Sequence, residues 1–223
     1  MEAFTMNTPT LYLDLIILAS AAYPSGFSNS LFTSWKGAPR EASTGFLRVL
    51  ALPYPVIVLA VWFVRPELLV WRGTTVSFVA AAVLLGALAL LVEYGIHALA
   101  SYRIYGKFPR GIALQGLWRR RFSTTDHLLT GMIMIGEEFL YRGIWFSVLL
   151  SFGLPTLAAV GISSLAYGLN HLAFGSTSVI SKTVTGLLYC TLYVAGGQSL
   201  WLPIVSHVLQ NILLFYLTKE RHA

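Results

Sequence analysis

Charge is what this chain has least of. Only 11% of its 223 residues are Asp, Glu, Lys or Arg, while 56% are hydrophobic. A soluble globular domain carries about 25% charged residues, so lipid is the expected solvent for most of this surface. Cysteine is nearly missing as well. Cys190 stands alone, which excludes an internal disulfide and carries no redox information. The N-terminal stretch MEAFTMNTPTLYLDL has no basic region and no A-x-A site near its short apolar run, so it does not read as a cleaved leader. There is no G-x-S-x-G elbow and no H-E-x-x-H pair, so neither a serine-hydrolase nucleophile nor a two-histidine zinc helix is encoded in the usual way. Internal repeats, low-complexity tracts and long linkers are missing too. The chain reads as one integral membrane domain, with N-terminal helices and a basic loop over 1–125 and a polar-bearing helix core over 126–218.

What is present is a series of apolar runs. Run length and breakers predict segments at 10–24, 46–64, 75–100, 126–150, 155–172, 180–196 and 199–218. A span needs about 20 residues, so the expected fold is all-α: a polytopic bundle of about seven transmembrane helices (six to eight) around a polar intramembrane cavity. The first segment is short and ends at YPSG, and Pro53 and Pro55 interrupt the second. Ser123, Thr124 and Asp126 look like a helix start. Gly131 and Gly136 are candidate points of close helix approach.

Lys and Arg total 15 against nine Asp and Glu. Arg103, Lys107, Arg110, Arg119, Arg120 and Arg121 crowd the loop 101–125. If that loop is cytoplasmic, seven crossings bring Lys36, Arg40, Arg48, Lys182, Lys219 and Arg221 to the same side, leave Arg65 and Arg72 opposite, and keep Arg142 within a span. The positive-inside rule then puts the C-terminus in the cytoplasm of a multi-pass protein of the cell (plasma) membrane. The WRRRF cluster, next to a span, suits anionic lipid better than nucleic acid, so lipids are expected partners and nucleic acid is not.

Against this background a few polar groups stand out: Glu93, His97, Glu137, Glu138, Arg142, Asn170, His171, His207 and Asn211. A charge at the bilayer centre costs roughly 3–10 kcal/mol or more, and such groups persist when paired or when they face water. In GEEFLYRG, Glu138 and Arg142 are four apart and can pair on one face. Glu137 lies about 100° around the helix and has Tyr141, not a cation, four residues on. An unpaired carboxylate in a low-dielectric site suits general-base work. Tyr167 and His171 repeat the four-residue spacing, as do His207 and Asn211, whose side chains can both donate to a developing oxyanion. With no serine or cysteine suited to attack, water is the nucleophile this set implies, and amide hydrolysis the reaction. Glu93 and His97 form a further i,i+4 pair, read as an interhelical hydrogen-bonded pair near an interface.

These residues resemble the CPBP intramembrane proteases, the family of the Ras-converting CAAX endoprotease, which is marked by E-E-x-x-x-R, F-x-x-x-H and H-x-x-x-N. The chain has Glu137-Glu138-x-x-x-Arg142, Tyr167-x-x-x-His171 and His207-x-x-x-Asn211 in that order. Tyr167 departs from the usual Phe and adds a hydroxyl within reach of His171 or a substrate. The resemblance covers about 126–215. It implies that Glu137 and His171 activate water, that His207 and Asn211 form the oxyanion site, and that Glu138 and Arg142 hold the site together. It leaves the cofactor open between none and a divalent metal such as zinc, which Glu137, His171 and His207 would hold. The implied substrate is a peptide or membrane-protein tail near the membrane surface. A proton-coupled transporter or non-enzymatic scaffold using the same buried Glu and His groups is the alternative.

Overall fold

A computed structural model describes residues 8–36, 43–69, 71–109 and 122–219. These residues form α1 (Thr8–Ala21), α2 (Pro24–Lys36), α3 (Thr44–Ala51), α4 (Pro53–Val64), α5 (Val76–Tyr105), α6 (Thr124–Glu138), α7 (Phe146–Ser151), α8 (Thr156–Leu169), α9 (Ser176–Ala195) and α10 (Trp201–Lys219). Short 3₁₀ turns occupy Pro66–Leu69 and Leu172–Phe174, and a π-helical turn, Phe139–Trp145, joins α6 to α7. No strand occurs among the described residues.

The surface is largely apolar, and charged and polar groups lie buried among the apolar residues of the interior. Phe63, Leu84 and Leu91 are exposed, while Glu137, Glu138, Arg142 and Asn170 are buried. Three helical stretches are long and apolar enough to cross a bilayer: Thr44–Val64, Val76–Tyr105 and Ser176–Ala195. The pair Thr8–Ala21 and Pro24–Lys36, bent by 52°, would make a fourth. The seven expected segments all contain helix, but length and composition do not establish seven crossings. The physical reason is plain in α8: its 14 residues, at about 1.5 Å each, reach roughly 21 Å, short of the ~30 Å hydrocarbon core.

Three local expectations change. The stretch after YPSG is not a loop, because α2 continues the chain to Lys36. Pro53 and Pro55 do not split the second segment. Pro53 stands at the first turn of α4, where its missing N–H is not needed, and α3 and α4 run on as one apolar stretch. Lys182 lies within α9, with its Nζ 2.9 Å from Glu93 Oε2, and not in a loop. The basic residues Arg40, Arg110, Arg119, Arg120, Arg121 and Arg221 lie outside the described residues.

The helix start at Ser123 is as expected: Ser123 caps α6 with a reciprocal Ser123–Asp126 box. α5 lies against α9 and α10, and α3 against α6, so the N-terminal helices share one interior with the C-terminal ones. α8 packs closely on α9 at Gly168. A Cβ on Gly168 would sit 2.0 Å from Thr183 Oγ1 and 2.8 Å from the Val179 carbonyl oxygen. The hydroxyl can rotate away, but the carbonyl moves only with its helix. Gly168→Ala is therefore expected to cost about 1–3 kcal/mol, read as a lower midpoint in thermal or SDS unfolding.

Candidate active site

Glu137 and Glu138 end α6, just where its winding changes. The following turn, Phe139–Trp145, is π-helical and not a continuation of α6. Such turns concentrate at functional sites. Arg142 still falls on the Glu138 face, with Nη1 3.1 Å from Glu138 Oε2. That pair is held by charge and not by an aligned hydrogen bond, since neither atom has a hydrogen-bond partner of good geometry. Arg142 Nη2 donates to the Gly186 carbonyl at 3.2 Å. Its guanidinium lies over the Tyr167 ring, 4.5 Å from the centroid, a cation–π contact.

Glu138 also reaches α10: its Oε1 is 2.7 Å from His207 Nδ1. An ionised carboxylate only accepts, so the proton lies on Nδ1. The Tyr167 hydroxyl is 3.5 Å from His207 Nε2. The extra oxygen that Tyr167 carries thus faces His207 and not His171. His171 instead meets the edge of the Tyr167 ring, with centroids 5.0 Å apart. Tyr189 packs beside His207 from α9, at 5.4 Å between centroids. Its hydroxyl donates to Gln210 Oε1. Gln210 Nε2 in turn donates to Glu93 Oε2 at 2.5 Å, and His97 Nε2 lies 3.4 Å from Ser181 Oγ. Glu93 and His97 are interhelical anchors, as their spacing suggested.

Glu137 faces both imidazoles. His171 Nε2 is 3.6 Å from its Oε1, and His207 Nε2 is 4.0 Å from its Oε2. His171 Nδ1 lies 3.0 Å from the Tyr167 carbonyl oxygen. A carbonyl cannot donate, so Nδ1 carries the hydrogen and, in neutral His171, Nε2 presents a lone pair toward Glu137. Two acceptors then face each other across 3.6 Å, too far for a direct hydrogen bond.

Two residues of this site, Ser25 and Tyr54, escaped the sequence, and Asn170, conspicuous there, had no place assigned at Glu137. Tyr54 donates to Glu137 Oε1 at 3.2 Å and Asn170 Nδ2 donates to the same oxygen at 3.1 Å. Ser25 N donates to Asn170 Oδ1 at 2.9 Å. On a continuous helix Asn170 and His171 would point about 100° apart. Asn170 keeps helical φ and ψ at the C-cap of α8 while His171 leaves them, and both side chains reach Glu137. Gly136 admits Tyr54: a Cβ there would lie 2.4 Å from Tyr54 Cβ. Gly131, the other candidate for close approach, faces open space. Asn211 Nδ2 donates to the His207 carbonyl at 3.1 Å, leaving its second N–H for another acceptor.

For a metal, the expected ligands are Glu137, His171 and His207. Among the described residues no group of three or more His, Cys, Asp or Glu is arranged to hold one. Glu137 Oε1 already accepts from Tyr54 and Asn170, whereas the Glu138–His207 contact is through Nδ1 and leaves Nε2 open. As arranged, the residues do not make a three-ligand centre.

Residues 127–213 match the family model of the type II CAAX prenyl endopeptidases, Rce1-like. This part of the chain is related to the CAAX proteases. The relationship supports a protease in a membrane. It takes in Glu137, Glu138, Arg142, Tyr167, His171, His207 and Asn211, whereas Ser25 and Tyr54 lie outside the matched residues. No curated protein and no solved structure matches the chain.

Proposed function

We propose that the protein is an intramembrane endopeptidase that cleaves a peptide bond near the membrane surface with water as nucleophile. The observation that supports this most is the facing pair of acceptors, Glu137 Oε1 and His171 Nε2, 3.6 Å apart. A water seated beside the pair, within hydrogen-bond reach of both atoms, can donate one hydrogen to each, which orients its lone pair outward for attack. His171 is partly exposed while Glu137 is buried, which leaves the His171 side for a substrate to approach.

In this reading the water oxygen bonds to the scissile carbonyl carbon and Glu137 takes the proton. The oxyanion accepts from His207 Nε2–H and from the second N–H of Asn211 Nδ2. His207 must then be an imidazolium. Its Nδ1–H is directed at Glu138 Oε1, 2.7 Å away. When the C–N bond breaks, Glu137 returns its proton to the leaving amine, so the step needs no other donor. Glu138, Arg142 and Tyr167 hold His207 in place.

The substrate is a C-terminal tail of a membrane-anchored protein, and the prenylated CAAX tail named in the family's description is the first to test. The basic loops favour a plasma-membrane protein with its C-terminus in the cytoplasm. The test compares wild type and Glu137→Gln, each reconstituted in liposomes, on peptides with a farnesylated C-terminal tail, and in cells by the inventory of uncut membrane-protein tails. A product made by the wild type alone supports the reading. Equal products from both sink it.

A further inference from the structure

We infer that Tyr54, on α4 and outside the segment related to the proteases, is a positioning residue for Glu137, so that the N-terminal helices complete the active site. This rests on the reading of Glu137 as the base. The hydroxyl of Tyr54 is fully buried and sits at a junction of three groups. It is 2.8 Å from Ser25 Oγ, receives Asn170 Nδ2 at 3.1 Å, and donates to Glu137 Oε1 at 3.2 Å. A hydroxyl has one hydrogen. Since Asn170 Nδ2 can only donate and the carboxylate only accepts, the Tyr54 hydrogen goes to Glu137, and Ser25 Oγ donates to Tyr54.

The ring is set with equal care. Tyr54 lies directly on Gly136, the residue before Glu137, and any side chain at 136 would displace it. Pro53 and Pro55 flank it at the start of α4, where proline fixes φ. Two neutral donors, Tyr54 and Asn170, therefore hold Oε1. They fix the carboxylate's rotation and leave Oε2 directed toward His207. A residue that only filled space would not.

Tyr54→Phe keeps the ring against Gly136 and removes one hydrogen bond. The decisive measurement needs no substrate. The infrared band of the Glu137 carboxyl group, assigned by its loss in Glu137→Gln, is recorded at one fixed pH in the full-length protein in liposomes. In Tyr54→Phe its frequency is expected to shift, because one of the two hydrogen bonds to Oε1 is gone. With a cleavable tail peptide, kcat falls about tenfold with KM unchanged, the scale of one hydrogen bond to a charged group. Ser25→Ala, which touches Tyr54 but not Glu137, shifts the band in the same direction and by less. An unmoved band in a folded Tyr54→Phe protein overturns the proposal, even if stability drops. The endopeptidase reading fails separately, if Glu137→Gln still cleaves.

Discussion

Glu137→Gln is expected to lower kcat for tail cleavage by about 10²–10⁴-fold, the usual share of a general base, without loss of the folded protein. The amide oxygen can take the place of Oε1 and accept from Tyr54 and Asn170, the two groups that hold it now. The amide nitrogen then stands where Oε2 faces His207 Nε2, 4.0 Å away and outside direct hydrogen-bond reach. The two hydrogen bonds that hold Oε1 are kept, so the variant should remain folded. What disappears is proton-accepting capacity. KM should change little, because the lost interaction belongs to the transition state and not to substrate binding. Mass spectrometry of the tail peptide gives the rate, and a thermal melt gives the fold. Full activity in the variant removes Glu137 from the reaction.

Arg142→Ala is expected to destabilise the protein by about 3–5 kcal/mol, the cost of leaving one member of a buried ion pair without its partner. Glu138 and Arg142 are both fully buried. Once the guanidinium is gone, Glu138 keeps only His207 as a charged neighbour, at 2.7 Å. The cation over the Tyr167 ring goes too, and so does the tie to α9 through the Gly186 carbonyl. Low yield, aggregation or a collapsed SDS-unfolding midpoint would register the effect. A double variant, Glu138→Gln with Arg142→Met, separates the charge from the packing. It leaves no uncompensated charge and should recover much of the stability. Cleavage should not return, since His207 loses the carboxylate that orients its Nδ1–H. An Arg142→Ala protein as stable as the wild type would mean that the pair is not closed to solvent as described here.

Membrane character was legible from composition alone, because a bilayer demands apolar surface and the chain supplies it in runs. The Glu138–Arg142 pair was legible as well, since spacing of four along a helix is local and periodic. It survives even though the backbone there is a π-turn, for which no residue of GEEFLYRG gives a warning. The number of crossings was less legible. Hydropathy marks α8 and α10 as apolar, but it does not say whether short helices span, tilt or stop midway.

Sequence by itself determined the polar inventory: two adjacent glutamates, an arginine, two histidines and two asparagines in a chain otherwise suited to lipid. Tertiary structure alone decided which of them meet. Glu138 finds His207 across 69 residues, and Glu137 finds Tyr54 across 83. Neither contact leaves a periodic trace, because each depends on how one helix packs on another and on Gly136 letting Tyr54 in. Asn170 and His171 both reach Glu137 at the end of α8, a convergence that depends on where α6 lies against that end and that spacing along one helix does not show.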